Sequence, residues 1–142
     1  MVIDHDDTDD VVQETFIKIF KNIDKFREDS ALFTWIYRIA TNETLNFLNK
    51  KKRRFMLPIV DVSKELESKL TSSELIDGNE IQLKLQKALL KLPDKQRAVF
   101  NMKYFDDLKY DQISAITGTS VGALKASSHI AVKKIEELLT SD

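Results

Sequence analysis

Apolar residues recur at steps of three and four along two stretches of this 142-residue chain, and the repeat is lost between them. The first repeat runs through Val12, Phe16, Ile19, Phe20 and Ile23, a spacing that places these side chains on one face of a helix. Only three glycines and two prolines are present, which is few for a turn-rich β protein. The pattern therefore predicts an all-α fold of two small helical domains joined by a linker.

The position of the irregular segment sets the expected domain boundaries. We expect residues 1–54 to form the first domain and residues 80–142 to form the second. Ser, Thr, Lys and Glu dominate residues 55–79, so this segment is predicted to be the linker. The apolar spacing predicts a long helix over residues 30–53 and a shorter one over about residues 94–104.

The C-terminal part has the pattern of a helix-turn-helix. A short periodic segment over residues 110–117 is followed by Gly118, which favours a left-handed helix terminus, and by Ser120, a good N-cap for a last helix. In a DNA-binding helix-turn-helix the second helix enters the major groove while the first crosses the backbone. Polar side chains recur along that last helix at helical spacing: Lys125, Ser128, His129 and Lys133. An αα-hairpin with solvated lysines explains the same spacing about equally well.

A second candidate nucleic-acid surface lies on the long helix of the first domain. Its first half interleaves Trp35 and Tyr37 with Arg38, and its end is a run of five cations from Lys50 to Arg54. Aromatic faces stack on unpaired bases and cations hold phosphates, so this composition suits nucleic acid. The alternative is that the aromatic side chains are core residues and the cations a solvated helix end, although a helix end needs only one or two.

The net charge of −1 hides an uneven distribution. Residues 1–29 carry −5, residues 30–57 carry +5, residues 58–79 carry −3 and residues 80–142 carry +2. A near-neutral total argues against a protein that binds DNA on its own, but the basic segment coincides with the candidate surface on the long helix. The distribution therefore favours a nucleic-acid partner for part of the chain only.

Composition excludes several classes of chemistry. The chain has no cysteine, so disulfides, thiol catalysis and Cys-ligated metal centres are absent, and no apolar run approaches the roughly 20 residues of a membrane span. His5 and His129 lie in different predicted domains, and no catalytic triad, glycine-rich phosphate loop or zinc motif is assembled. The acidic run from Asp4 to Asp10 lacks the glycine and terminal glutamate of a calcium loop and is better explained as a helix start. We expect no enzyme, no metal and no cofactor.

Taken together, two parts of the chain resemble regions 2 and 4 of the RNA polymerase sigma factors of the extracytoplasmic-function (ECF) group, in the sigma-70 family. The part that resembles region 2 contains DVVQETFIK at residues 10–18 and FTWIYRIATN at residues 33–42. The part that resembles region 4 contains LPDKQR at residues 92–97, YDQIS at residues 110–114 and VGALK at residues 121–125. The order and spacing of these motifs agree with the family, and two linked motifs are more specific than either alone.

The resemblance implies a role for each matched position. The first matched helix docks on the coiled coil of the polymerase β′ subunit through Asp10, Gln13, Glu14 and Lys18. The following loop and helix bind the −10 element through Phe26, Arg27, Ser30, Trp35, Tyr37, Arg38, Asn42, Asn46, Lys50, Lys51, Arg53 and Arg54. The last helix binds the −35 element through Ser120, Val121, Lys125, Ser128, His129 and Lys133. Other implied partners are the polymerase β flap, promoter DNA and an anti-sigma factor, in the cytoplasm, with no small-molecule substrate and no membrane insertion.

The chain departs from the family pattern in three places, one of which is Lys109, where the family often has a Ser or Thr cap before the helix predicted at residues 110–117. The family has a further helix ahead of the acidic segment, so we expect apolar residues such as Phe16 and Phe20 to be left without cover here. Relatives often carry arginines on the last helix where this chain has Ala126, Ser127 and Ile130. Two other functions stay open at this point: a stand-alone helix-turn-helix regulator, and a helical interaction adaptor without DNA contact.

Overall fold

A computed structural model describes residues 1–2, 4–26, 31–54, 68 and 80–141, without the side chain of Arg54. Their helices are α1 (His5–Asn22), α2 (Leu32–Arg54), α3 (Glu80–Leu89), α4 (Asp94–Phe100), α5 (Tyr110–Thr117) and α6 (Val121–Thr140). No strand occurs in these ranges, and the predicted all-α class is confirmed. The predicted site residues Arg27 and Ser30, and all of the predicted linker except residue 68, lie outside the described residues.

The acidic start of the chain caps α1. The Asp4 carboxylate accepts the backbone N–H of Asp6 at 2.9 Å and that of Asp7 at 3.2 Å, and these two acids complement the positive end of the helix dipole. Among the described residues no group of three or more His, Asp or Glu side chains is arranged to hold a metal ion. The N-cap predicted for this acidic segment is present at Asp4.

Two ion pairs show that α1 and α2 pack antiparallel. Lys18 on α1 pairs with Glu43 on α2, and Lys51 near the end of α2 pairs with Asp7 near the start of α1. Leu48 on α2 and Val11 on α1 are both buried. Phe16 and Phe20 on α1 are 56% and 74% exposed and border an apolar groove of about 1060 Å³ that residues of α2 and α3 also line. The expected lack of cover at these two residues is thus observed.

The second half of the chain packs around two apolar clusters. The first joins α3, α4 and α6 through Ala88, Leu89, Leu92, Phe100, Ala131 and Ile135. The second joins α4, α5 and α6 through Ala98, Met102, Leu108, Ile113, Ile116 and Leu124. Ile113 and Leu124 are almost completely buried, and burying a side chain of this size contributes about 1.5–3 kcal/mol. This packing fixes α5 against α6.

The helix predicted to end near Tyr104 changes its winding before that residue. α4 ends at Phe100, and the chain continues as a π-helical turn over Asn101–Phe105, in which Asp106 donates its N–H to the Asn101 carbonyl at 3.0 Å. The wider turn keeps Met102 in the core and leaves Tyr104 exposed. Local propensity does not encode this change, because the tertiary packing of Met102 selects it.

The turn between α5 and α6 has the predicted chemistry. Gly118 has φ 76°, a left-handed conformation that glycine adopts without strain, and its N–H reaches the Ser114 carbonyl at 2.8 Å. Ser120 caps α6 by accepting the N–H of Ala123 at 3.2 Å. At the start of α5 the Gln112 side chain accepts the N–H of Lys109 at 3.0 Å. These caps define a helix-turn-helix, as the sequence predicted.

Candidate polymerase and DNA interfaces

The outer face of α1 presents the residues predicted to bind polymerase. Asp10, Gln13 and Glu14 are exposed, while the neighbouring Val11 and Thr15 are buried. Residues three and four apart share a helix face, so the three exposed side chains form one polar patch. This is the α1 patch, defined by Asp10, Gln13 and Glu14.

Lys18 was predicted to belong with these residues, but its charge is directed elsewhere. Its ammonium pairs with Glu43 on α2, whose side chain is only 11% exposed. A mostly buried carboxylate needs a partner, because removing it from water without one is costly. Lys18 therefore holds α1 on α2, while its exposed stem borders the α1 patch.

α2 carries an exposed polar stripe along most of its length. Its members recur at steps of four and three and are all exposed: Arg38, Asn42, Asn46, Lys50 and Arg53. At a rise of 1.5 Å per residue the stripe is about 22 Å long, which matches roughly six nucleotides of one DNA strand. Hereafter these five residues are called the α2 stripe. The structure thus brings together five of the twelve residues predicted for the −10 element.

Aromatic side chains flank the first turn of α2. The rings of Phe26 and Trp35 lie 5.2 Å apart, and those of Phe33 and Tyr37 lie 5.3 Å apart. Both separations are in the range for favourable aromatic pairs. Phe26, four residues after the end of α1, therefore packs on α2 and holds the Trp35 ring in place.

Lys51 is a correction to the sequence prediction. Its side chain is 8% exposed, and its ammonium lies 3.0 Å from the Asp7 carboxylate. A lysine buried in this way cannot reach a phosphate, so the structure removes it from the DNA-binding set. A signal was present in the sequence, because Lys51 follows Phe47 by four residues and the buried Leu48 by three, which places it on the inward face.

Three of the six residues predicted to bind the −35 element lie together on the exposed face of α6. Lys125, His129 and Lys133 recur at steps of four and are exposed, and Ala126 and Ile130 lie exposed beside them. These five residues are called the α6 face. Of the three other members of the predicted set, Ser120 is the exposed helix cap, Val121 is half-buried and Ser128 is buried.

Ser128 is the second correction. It is 5% exposed, and within the described residues its hydroxyl has no hydrogen-bond partner. It lies four residues after Leu124 and three before Ala131, both buried, so the helical period itself places it on the core side. Ser128 therefore packs inside the domain and does not face DNA.

Sequence reasoning missed Lys103 and Tyr110. The Lys103 ammonium lies 4.5 Å from the centre of the Tyr110 ring, and the Lys125 ammonium lies 6.0 Å from the same centre. Partial burial and the neighbouring Tyr110 raise the pKa of Tyr104 above its ordinary value. Because the Lys103 and Lys125 ammonium groups both lie against the Tyr110 ring, Lys103 is at the edge of the α6 face. No sequence signal marks it, because the π-helical turn sets its direction.

Contacts between the two halves of the chain involve several of the predicted DNA-binding residues. Arg38 donates to the carbonyl of Ile116 at 3.3 Å and to that of Ala115, at the C-terminal end of α5. Tyr37 packs against the second apolar cluster.

In the part of the chain that the structure describes, no helix is both long and apolar enough to cross a membrane.

Comparisons with known proteins agree with this arrangement of helices. Residues 1–54 match the family model of sigma-70 region 2, and residues 82–135 match that of sigma-70 region 4. The ECF RNA polymerase sigma factor SigW of Bacillus subtilis (strain 168) is 33% identical over 131 residues, which is 87% of this chain and 70% of SigW. The ECF RNA polymerase sigma-E factor of Escherichia coli (strain K12) is 34% identical over 128 residues, 84% of this chain and 67% of that protein.

A solved structure shares the fold. The sigma factor RpoE of Bartonella quintana, determined in complex with the anti-sigma factor NepR, has a TM-score of 0.69 and 24% sequence identity. The likeness covers 97% of this chain and 84% of that one.

Proposed function

This chain belongs to the extracytoplasmic-function group of RNA polymerase sigma factors. From that premise we propose that three of its surfaces bind three different targets: core polymerase, the −10 element and the −35 element. As a member of the family it is a non-enzymatic subunit that binds core RNA polymerase and directs promoter recognition, DNA melting and transcription initiation. The three surfaces are the α1 patch, the α2 stripe and the α6 face. Residues 1–54 and 80–142 are proposed as the functional domains, joined by residues 55–79.

The α2 stripe is proposed to hold the opened −10 element, and its unbroken exposure carries this assignment. Arg38, Lys50 and Arg53 provide positive charge for phosphates along one strand, and Asn42 and Asn46 provide amides for the edges of unpaired bases. Trp35 adds an aromatic ring beside the first turn. Extracting a base from the duplex costs a few kcal/mol, which contacts to the freed base and backbone offset.

The α6 face is proposed to enter the major groove at the −35 element. Lys125, His129 and Lys133 supply donors for phosphates or base edges, and Lys103 adds a further cation at the border. Ala126 and Ile130 lack polar groups, so their base readout is contact with thymine methyl groups. We expect the −35 sequence to depend more on A·T pairs than on guanines read by arginine.

The α1 patch is proposed to dock on the coiled coil of the polymerase β′ subunit, with the β flap as a second polymerase contact. An acidic and amide surface on a rigid helix suits a partner with complementary charge, and complementary charge increases both the rate and the specificity of association. We further propose a cytoplasmic location, where core polymerase and promoter DNA are found, and an anti-sigma partner. The fold likeness to RpoE, which was solved with NepR, supports that partner.

Transcription in vitro with core polymerase and a random promoter library tests the function. We expect transcripts that depend on this chain and that share two spaced sequence elements upstream of their start. The double variant Asn42→Ala/Asn46→Ala should weaken the sequence preference in the element nearer the transcription start, while core binding is retained. Gln82→Ala, which removes an exposed amide on α3, should leave both elements unchanged.

A chain that fails to bind core polymerase in a pull-down would contradict the proposal. In that case, specific binding to duplex DNA would indicate a stand-alone helix-turn-helix regulator instead. Absence of both activities would indicate a helical interaction adaptor.

A further inference from the structure

We propose that Tyr110 is a positioning residue for DNA binding, because its ring holds the ammonium groups of Lys103 and Lys125 where both can meet the DNA backbone. The proposal rests on the proposed assignment of the α6 face to DNA and adds the group that orients its cations. Tyr110 is the first residue of α5, Lys103 lies in the π-helical turn and Lys125 lies on α6. The Tyr110 ring is therefore at the place where these three segments meet.

Both lysines use the same aromatic ring. The Lys103 ammonium lies 4.5 Å from the centre of the Tyr110 ring, and the Lys125 ammonium lies 6.0 Å from it. The negative face of a ring attracts an ammonium group within about 6 Å of its centre. The two ammonium groups are thus on the order of 10 Å apart at most, a short stretch of a DNA strand that carries one phosphate per about 3.4 Å of helix axis.

A ring can hold a lysine without neutralising its charge. Among the described residues, neither Lys103 nor Lys125 forms an ion pair with a carboxylate. An ammonium group has three N–H donors, and contact with a ring face leaves donors free for a phosphate oxygen. Lys51 shows the contrast, because its pairing with Asp7 in a buried position removes it from the DNA-binding set. The Tyr110 ring therefore places two cations that keep their full charge for DNA.

The gain from the ring is one of conformational entropy. A lysine side chain has four rotatable bonds, and ordering it on a phosphate is among the largest entropy costs that a side chain incurs. Where a ring already restrains the ammonium group, part of this cost is met on folding and no longer opposes binding. Removal of the ring face should therefore lower the affinity for DNA although both lysines are still present.

Tyr110 is itself fixed by further contacts. It is half-buried and packs against the second apolar cluster. A side-chain hydrogen bond joins Tyr104 to Tyr110, and the Tyr104 ring lies 4.7 Å from that of the buried Phe100. Because the Tyr110 ring is held by the core in this way, it determines where the ammonium groups lie and does not follow them.

The shared ring assigns Lys103 and Lys125 to the DNA backbone. Lys103 lies outside α6, and Lys125 approaches the same ring at the border of the α6 face. Phosphate contacts fix the orientation of a recognition helix, whereas contacts with base edges specify the sequence. Loss of the ring face should therefore weaken binding to all duplexes about equally. The sequence preference is left to the other exposed members of the face, Ala126, His129 and Ile130.

Fluorinated phenylalanines at position 110 of the full chain test the role of the ring face. Fluorine withdraws electron density from the face with little change in ring size, so a cation–π contact weakens as fluorines are added. The probe is a short random-sequence DNA duplex at low salt, with affinity measured by fluorescence anisotropy. We expect Tyr110→Phe to keep most of the affinity. Pentafluorophenylalanine should bind about two- to fivefold more weakly, with partly fluorinated rings in between.

Two controls separate the ring face from general effects of fluorination. Phe105 is an exposed aromatic residue of the same π-helical turn, and no described cation lies over its ring. Pentafluorophenylalanine at position 105 should therefore leave the affinity unchanged. In the double variant Lys103→Ala/Lys125→Ala, fluorination at position 110 should have no further effect, because the cations on which the ring acts are gone.

The ring contact can also be observed without DNA. In the nuclear magnetic resonance spectrum of the free chain, we expect the ε-methylene protons of Lys103 to be shifted upfield by the Tyr110 ring and to lose that shift in Tyr110→Leu. A shift accompanied by unchanged affinity across the fluorinated series would show a structural contact only and would overturn the positioning role.

Three further results would overturn the proposal. One is a loss in Tyr110→Phe as large as that with pentafluorophenylalanine, which would assign the effect to the hydroxyl. Another is the same loss on fluorination when both lysines are absent. The third is a wild-type chain without affinity for the duplex, which would also remove the assignment of the α6 face. If the chain binds the duplex but not core polymerase, the proposed function fails, while the fluorinated series still decides the role of Tyr110.

Discussion

The Lys51 ammonium and the Asp7 carboxylate lie 3.0 Å apart, and the Lys51 side chain is only 8% exposed. This pair joins the end of α2 to the start of α1 across 44 positions of sequence. The run of five cations is therefore not a uniform basic surface. One member stabilises the first domain, one contacts the second half of the chain, and Lys50 and Arg53 remain exposed for DNA.

Lys51→Ala should lower stability rather than DNA affinity. The substitution leaves Asp7 without its ammonium partner and removes a buried stem, at a cost of about 1–3 kcal/mol. Thermal unfolding followed by circular dichroism should show a Tm lower by roughly 3–10 °C. Lys50→Ala, one position earlier and exposed, is the control and should leave the Tm nearly unchanged. The reverse ranking would contradict the structural role of Lys51.

Lys50→Glu combined with Arg53→Glu should impair promoter opening more than core binding. Both side chains lie on the α2 stripe, and losing two phosphate contacts reduces the salt dependence of DNA binding by a slope of about two. Permanganate reactivity of unpaired thymines measures opening, and co-elution with core polymerase measures assembly. Lys21→Glu, an exposed cation in the last turn of α1, controls for charge. Equal losses in both assays would remove the assignment of the stripe to DNA.

Ser128→Ala should leave −35 binding unchanged and should not destabilise the domain. Its hydroxyl is buried and has no partner among the described residues, so its removal relieves a desolvation cost of roughly 1 kcal/mol. Lys125→Ala, on the exposed face of the same helix, should weaken binding to a −35 duplex by severalfold. Mobility shifts at fixed salt compare the two. A large loss of affinity in Ser128→Ala would show that this residue does reach DNA.

Lys103→Ala should weaken binding to duplex DNA nearly equally for all sequences. Lys103 lies beside the Tyr110 ring at the border of the α6 face, where it is placed for a phosphate and not for a base edge. Titrations at several salt concentrations should give a slope smaller by about one. Lys95→Ala, an exposed lysine on α4, serves as the reference. A sequence-dependent loss would instead indicate base readout by Lys103.

Gly118→Ala and Gly122→Ala should have opposite effects on stability. An added methyl group meets no atom within 4 Å at either site, so packing does not decide the outcome. Gly118 has φ 76°, which costs an alanine about 1 kcal/mol, whereas Gly122 lies in the first turn of α6, where alanine is the better helix former. Denaturant titrations should place Gly118→Ala below the wild type and Gly122→Ala at or above it. The same sign for both would exclude a backbone origin.

Local interactions account for the features that the sequence predicted well. The helical periods, the Asp4 cap of α1, the left-handed Gly118 and the Ser120 cap each depend on residues within a few positions of one another. The inward direction of Ser128 was also readable, since its neighbours on that face are apolar. The extent of the π-helical turn was not readable, because it depends on the packing of Met102 against residues of α5 and α6 that lie outside the turn.

The sequence by itself determined the helices, their caps, the all-α class and the motifs that mark regions 2 and 4. Only the tertiary structure decided which polar residues stay available. Lys18 and Lys51 belonged to predicted interfaces, and each is paired instead with a carboxylate 25 or more positions away, while Arg38 stays exposed and also donates to the carbonyls of Ala115 and Ile116. The physical reason is that helical spacing determines which residues share a face, whereas the packing of one helix on another determines which groups that face contacts.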